Sequence, residues 1–413
     1  MRFWWLNPYK LLLYFLIPIY VVIYFVEFEG TVFFTTWYFL TGLLFLLALT
    51  LGSFFGQKIH IKRAKPAFVN RIYLDILFWL TLLAYVVWFR EFILDPRLLV
   101  NMLFGDVRYT DIRNMIDTIP GITTMSQLGI VYVIFYMLQK DYYEKKVRRK
   151  YSFYLLVIIC MTAFRAVAWS ERLALIEIFL PIVVIYFANY KGVRFKRLLK
   201  AAPYVGVVLV FSLFSLTEYF RSWKSHYQYI YDDFLSFASQ RLLNYYYTAL
   251  NNGAGYFEIS SEPSYKFEHT LDWLYNFPIL GTWIEEAVRV NRDYTPFLRT
   301  YLTDEFNNPS GIFVYFYDMH VPLALLFICI VGVVLGLLYR GFATNEGIGV
   351  FIYPALYVGI IEVMRHPYLT SSRVFPVILF ILIGVFAFRA KYVPEKIVAT
   401  KNRKARKKYR LTW

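Results

Sequence analysis

The chain has 413 residues, 59% hydrophobic and only 17% charged, with a mean hydropathy of +0.47. Soluble globular chains carry about 45–50% apolar and about 25% charged residues, so this balance excludes an ordinary water-soluble domain. The formal net charge of +16 does not point to nucleic acid. The basic residues lie in short clusters between apolar runs, where orientation in a membrane accounts for them.

Aromatic residues make up 21% of the chain, and Tyr and Trp suit the headgroup region because each joins an apolar ring to a polar handle. The two cysteines, Cys160 and Cys329, fall inside apolar runs and offer no metal-ligand spacing. No small-residue cleavage site follows the first apolar run, which therefore reads as a permanent helix.

A transmembrane helix needs about 20 mainly apolar residues. Ten runs qualify: 10–28, 33–55, 72–92, 122–139, 151–168, 172–190, 202–220, 312–339, 348–364 and 373–390. The eighth is overlong, and its start from Gly311 to Tyr317 reads either as part of the span or as a re-entrant or interfacial turn. Segment 57–71 carries Lys58, Lys62, Arg63, Lys65 and Arg71, and similar clusters fill 140–150, 190–200 and the tail from Arg389. These alternate with short or acidic connections such as Glu27-Phe28-Glu29. Positive charge marks the cytoplasmic side, so both termini are expected there.

The chain then divides into a bundle of seven helices over 1–220, a large extracytoplasmic loop over 221–311, three helices over 312–390 and a basic cytoplasmic tail over 391–413. A smaller outer segment, 93–121, holds Asp106, Arg108, Asp111, Arg113 and Asp117 around a short amphipathic helix. Within the large loop, helix is expected around 230–251 and 281–292, packed on the membrane face as a cap. The expected fold class is an all-α, polytopic membrane protein of about ten transmembrane helices.

Four of the five histidines (His226, His269, His320 and His366) fall on the outer side, as do most acids, so the chemistry is expected there. Arg165 lies within an apolar run, where arginine is costly unless it faces a polar cavity. With Arg172 it can offer planar donor forks to a phosphate or pyrophosphate. The alternative is an ion pair with Glu171 or Glu177, or snorkelling to headgroups. Glu218 and Arg221 close the seventh run three residues apart and can pair locally, with Arg221 also placed to line a cavity entrance.

Arg241 precedes Asn251-Asn252-Gly253, and Arg299 precedes Asn307-Asn308-Pro309-Ser310-Gly311. Each reads as an arginine followed by a turn whose amides face an anion, or as turn chemistry alone. At the end of the ninth run, Glu362 and His366 are one helical turn apart with Arg365 between them. That set suits either general-base work or an interfacial ion pair. Asp318 and His320 are placed to reach the same face. No Walker A loop, GxSxG elbow, HExxH or CxxC occurs, so no cofactor, metal or nucleotide is implied. An outward-facing enzyme without nucleotides needs an already activated substrate.

The ten spans, the large outer loop before the last three helices, the two arginine-to-glycine spacings and the stretch Asn307 to Gly311 running into FVYFYDMH together resemble the Wzy-type oligosaccharide repeat-unit polymerases of bacteria. The spacings here are eleven residues rather than ten, and His320 stands where that family usually has glycine. The resemblance implies a GT-C-like fold in the bacterial inner membrane. It further implies inverting transfer of a growing chain from undecaprenyl pyrophosphate onto a new lipid-linked repeat unit. Arg165, Arg172, Arg241 and Arg299 would steady the leaving pyrophosphate, and a carboxylate or His366 would take the acceptor proton. A chain-length regulator and a flippase are the implied protein partners. Rival readings are a lipid-linked glycan flippase or other transporter, for which Asp75 and Glu177 would be the intramembrane acids, a membrane acyltransferase, and a non-enzymatic assembly partner.

Overall fold

The computed structural model describes residues 3–28, 30–61, 66–104, 118–169, 171–190, 192, 196–224, 227–260, 262–290, 292–302 and 306–390. Asp106, Arg108, Asp111, Arg113, Asp117, His226 and the tail over 391–413 lie outside the described residues, as do the side chains of Arg172 and Arg221.

Among the described residues, every regular element is helical, and extended pairing is confined to a bridge between Val69 and Arg389. Helix forms in all ten apolar runs, since an apolar segment satisfies its backbone groups internally only as a helix. Four helices are long and apolar enough to cross a membrane: Thr36–Lys58, Arg71–Trp88, Lys145–Ala168 and Val321–Thr344. Pro8–Tyr24, Leu173–Ala188, Ala202–Leu216, Gly349–Ile361 and Val374–Phe386 are shorter apolar helices. The run over 122–139 is a 3-10 turn, Thr123–Gln127, leading into Leu128–Gln139.

The overlong eighth run divides in two. Val314–Asp318 is a short buried helix, the chain turns extended at Met319 and His320, and Val321–Thr344 starts afresh with Pro322 in its first turn. Proline is at home there because its missing N–H would have no helical partner in any case. The long helix then packs along Thr36–Lys58 at backbone contact. Cβ atoms on Gly52 and Gly56 would run into the carbonyls of Cys329 and Val333, and one on Gly336 into that of Ser53. Two small-residue stripes four apart, Gly52/Gly56 and Gly332/Gly336, thus let the helices touch without side chains between them.

Contacts sort the connections to two ends. At one, the Trp5 indole donates to Leu199 O, Tyr357 donates to Trp5 O, and the Arg340 guanidinium donates to the carbonyls of Gln57, Lys58 and Ile59. Here the basic connections meet. At the other end lies the helix Phe234–Ile259, begun by the Asp233 side chain accepting from Ser236 N at 2.7 Å.

This cap helix starts later and runs farther than the 230–251 expected. The second loop helix, Leu280–Val288, is shorter than 281–292 because Arg289 turns left-handed at its end. Pro96–Phe104 supplies a helix in the segment 93–121.

Asn251-Asn252-Gly253 is not a turn, contrary to the reading of the sequence. All three residues are buried within the cap helix. Asn251 Oδ1 accepts from Phe33 N and Phe34 N while its amide donates to Thr31 O. Asn252 donates to Phe306 O and Asn308 O. Gly253 leaves room for Pro309, Ser310 and Phe313. The asparagines serve as tethers to two neighbouring segments, a use that overrides their weak helix propensity.

Candidate anion-binding site

Four arginines converge at the cap-helix end. Arg165, 4% exposed, donates from Nε and Nη2 to Glu171 at 2.9 and 2.6 Å and from Nη1 to Ser126 Oγ at 3.1 Å. Its guanidinium carbon stands 4.0 Å from the Trp88 ring centre. Glu171 also binds Arg373 Nη2, and Arg373 Nη1 reaches both oxygens of buried Glu177 at 3.3 Å. Burial pushes the Glu171 carboxyl up, but Arg373 and Arg165 together hold it below its ordinary value. The ion-pair alternative for Arg165 is therefore realised in the structure. Arg373, which the sequence offered only as the first residue of an apolar run, is the second cation of this network.

Arg365 follows. Its Nη2 lies 2.9 Å from Glu362 Oε2, and its guanidinium faces the Tyr245 ring of the cap helix at 4.9 Å. The pair is close but not aligned for hydrogen bonding. Glu362 Oε2 and Arg365 Nε are both buried without a hydrogen-bond partner among the described residues. Asn244 Oδ1, one residue before Tyr245, is buried and unpartnered as well. Buried polar atoms of this kind are rare in native structures, and a ligand is one explanation for them.

Arg241, on the same cap helix, donates to Glu218 at 2.8 Å and lies over the Tyr227 and Phe306 rings at 5.0 and 5.1 Å. Phe306 in turn packs against Tyr245. Glu218 was expected to pair locally with Arg221, whose side chain lies outside the described residues; Glu218 accepts from Ser222 Oγ and from Arg241, 23 positions on.

Glu362 and His366 do stand one turn apart, with His366 N donating to Glu362 O at 2.9 Å, but the Glu362 carboxylate pairs with Arg365 rather than with the imidazole. The helix ends at Ile361, and residues 362–365 form a turn ahead of Pro367, which disfavours helix in the residue before it. Glu362 engages Arg365, while burial and the Arg373 and Arg365 guanidiniums lower His366 to about 3. His366 is thus a neutral imidazole set between two arginines.

Asp318 and His320 do not join this centre. Asp318 is fully buried and accepts from His269 N and Thr270 N at 3.1 and 2.6 Å, and His320 is exposed beside the Tyr265 ring. Arg299 is exposed on Thr295–Tyr301, and Asp293 is a charge beside it. The turn after Arg299 does reach the centre: Ser310, at φ +68°, donates to Met364 O at 3.2 Å, and Gly311 lies against the carbonyls of Val363 and His366. A cavity of about 910 Å³ opens at the opposite, basic end, lined by Phe68, Gln139, Lys140, Tyr190 and Glu346 among others, and holds none of these groups.

Chemically, each arginine offers five donors, and its glutamate occupies one or two. Such a centre can take up an anion by sharing guanidinium donors between glutamate and ligand. Fold and site together define an all-helical, membrane-embedded protein with a buried arginine–glutamate centre at one end of the bundle. No protein-family model, curated protein or solved structure matches the chain.

Proposed function

We propose that the chain is a polytopic enzyme of the bacterial inner membrane, with ten spans, cytoplasmic termini and a GT-C-like arrangement. In this reading it polymerises undecaprenyl-pyrophosphate-linked oligosaccharide repeat units by inverting transfer on the extracytoplasmic face. The observation that carries the reading is the convergence of Arg165, Arg241, Arg365 and Arg373 at the end away from the basic connections, with Arg365 Nε buried and unpartnered. A departing pyrophosphate needs charge stabilisation rather than protonation, and preorganised guanidiniums supply it. Arg365 contributes the unmet donor. Arg241 and Arg373 flank it, and the glutamates hold the forks in place until the diphosphate arrives. Glu362, whose carboxylate lies 2.9 Å from Arg365 Nη2 without an aligned hydrogen bond, is the better base for the acceptor hydroxyl, because the two guanidiniums beside His366 weaken that imidazole as a proton acceptor.

A transporter reading would lean on Asp75 and Glu177. Asp75 instead binds Lys150 at 2.6 Å toward the basic end, and Glu177 is held by Arg373. Deleting the chain from its host tests the proposal: the surface glycan should collapse from a ladder to single repeat units. An unchanged ladder would refute it.

A further inference from the structure

Away from the arginine centre, three metal-ligating side chains meet where the large loop docks on the short helix Val314–Asp318. The backbone N–H groups of Ser264 and Tyr265 donate to the carbonyls of Tyr317 and Asp318 at 2.8 and 3.1 Å. This brings Glu268 and His269 to Asp318 across about fifty positions of sequence. One ligand atom from each of the three lies within 4.8 Å of the others.

Glu268 is 7% exposed and Asp318 is fully buried, yet neither carboxylate has an ion pair among the described residues. Glu268 accepts from Ser264 Oγ at 2.7 Å, and Asp318 accepts the two backbone N–H groups already described. Two neighbouring buried carboxylates without a cation repel each other and lose their hydration, a cost that hydrogen bonds offset only in part. A fourth group points the same way. The Thr270 hydroxyl, 3% exposed, faces the Asp318 carboxylate but is not aligned for a hydrogen bond to it or to any other described residue.

We propose that Glu268, His269 and Asp318 form a binding site for a divalent transition-metal cation, which clamps the loop segment 264–272 onto the end of the helix Val314–Asp318. One imidazole nitrogen with two carboxylate oxygens suits zinc or manganese, and the lack of thiolates disfavours soft monovalent metals. The Thr270 hydroxyl completes the shell directly or through a coordinated water. The cation balances the two carboxylates and fixes a cap segment whose next anchors are Asp272, accepting from Ser372 N at 2.9 Å, and Trp273, stacked on Phe375 at 4.4 Å. The site is separate from the proposed pyrophosphate centre, and its role is to position the cap.

The test uses the full chain in detergent, stripped by a chelator and titrated with zinc and, separately, manganese chloride. One ion per chain should bind with saturating affinity and raise the unfolding temperature, since a ligand that binds only the folded state stabilises it. Glu268→Gln and His269→Gln should each weaken binding by more than about tenfold and abolish the thermal shift, whereas His60→Gln should change neither. Glu268→Gln leaves the backbone bonds to Asp318 in place, so it reports on the metal rather than on folding. Absence of saturable binding and of any thermal shift in the wild-type chain would overturn the proposal. An equal shift in the Glu268→Gln and His269→Gln chains would overturn it as well.

Discussion

Arg241 and Glu218 join the cap helix to the end of the preceding apolar helix through a 2.8 Å contact in which neither side chain is more than 8% exposed. Removing one side of a buried pair takes away the opposite charge that offsets the other side's burial, which costs about 3–5 kcal/mol. Arg241→Met should therefore destabilise the protein strongly, and Arg241→Met with Glu218→Met should recover much of the loss. Thermal unfolding in detergent checks this, and a double variant no better than the single would contradict it.

Arg365 is expected to act through the planar fork of its guanidinium. Arg365→Lys keeps the charge but loses that fork, so polymer synthesis should fall by about 10²–10³-fold, the usual cost of removing a preorganised donor to a developing anion. Folding should persist, because its pairing with Glu362 is close without being a well-aligned hydrogen bond. Polymer yield and gel-filtration profile, measured side by side, separate the two effects.

His366 gives a pH signature. Its imidazole is brought to about 3 in the folded chain from an ordinary 6.5, so above pH 6.5 it is neutral in both states and contributes no pH dependence. As pH falls from about 6.5 toward 3, the unfolded chain takes up a proton that the folded chain refuses, and stability drops. His366→Gln cannot titrate and should flatten this part of the unfolding-temperature profile. A parallel acid loss in both proteins would show that His366 is not its source.

The glycine seam offers a packing test. Gly332→Leu would drive a side chain into the backbone of Leu49 and Ser53. Overpacking a tight contact costs about 1–3 kcal/mol or more, and here the obstacle is backbone rather than a yielding side chain. Folded yield should fall sharply, whereas Leu326→Ala on the exposed face of the same helix should be tolerated.

Sidedness is tested by labelling. A cysteine at exposed Asp232, in a chain freed of Cys160 and Cys329, should react with an impermeant reagent from outside, and one at exposed Lys58 should not. Asn251 would be a poor site for such a label, because its side chain is fully buried in tethers to residues 31–34.

Hydropathy made the helices legible, because lipid permits little else at those positions. Arg165 stood out because an arginine within an apolar run needs a reason, Arg241 by its spacing to Asn-Asn-Gly, and Arg365 by its place between Glu362 and His366. Their partners did not stand out, since pairing is set by packing rather than by sequence neighbours. Glu218 pairs 23 positions away, and Arg373 reaches across some two hundred positions to Glu171 and Glu177. The Asn-Asn-Gly sequence misled because its turn propensity is weaker than three tertiary hydrogen bonds from Asn251 alone. Glu268, His269 and Asp318 carry no ligand spacing in the sequence, and only docking of the loop unites them.

The most direct measurement is reconstitution. Purified chain in lipid nanodiscs would be given the host's lipid-linked repeat unit, and the products resolved by length. A ladder of polymers with release of undecaprenyl pyrophosphate is expected, lost in Glu362→Gln and strongly reduced in Arg365→Lys while both remain folded. Intact single units with the wild-type chain, or an undiminished ladder from both variants, would contradict the account.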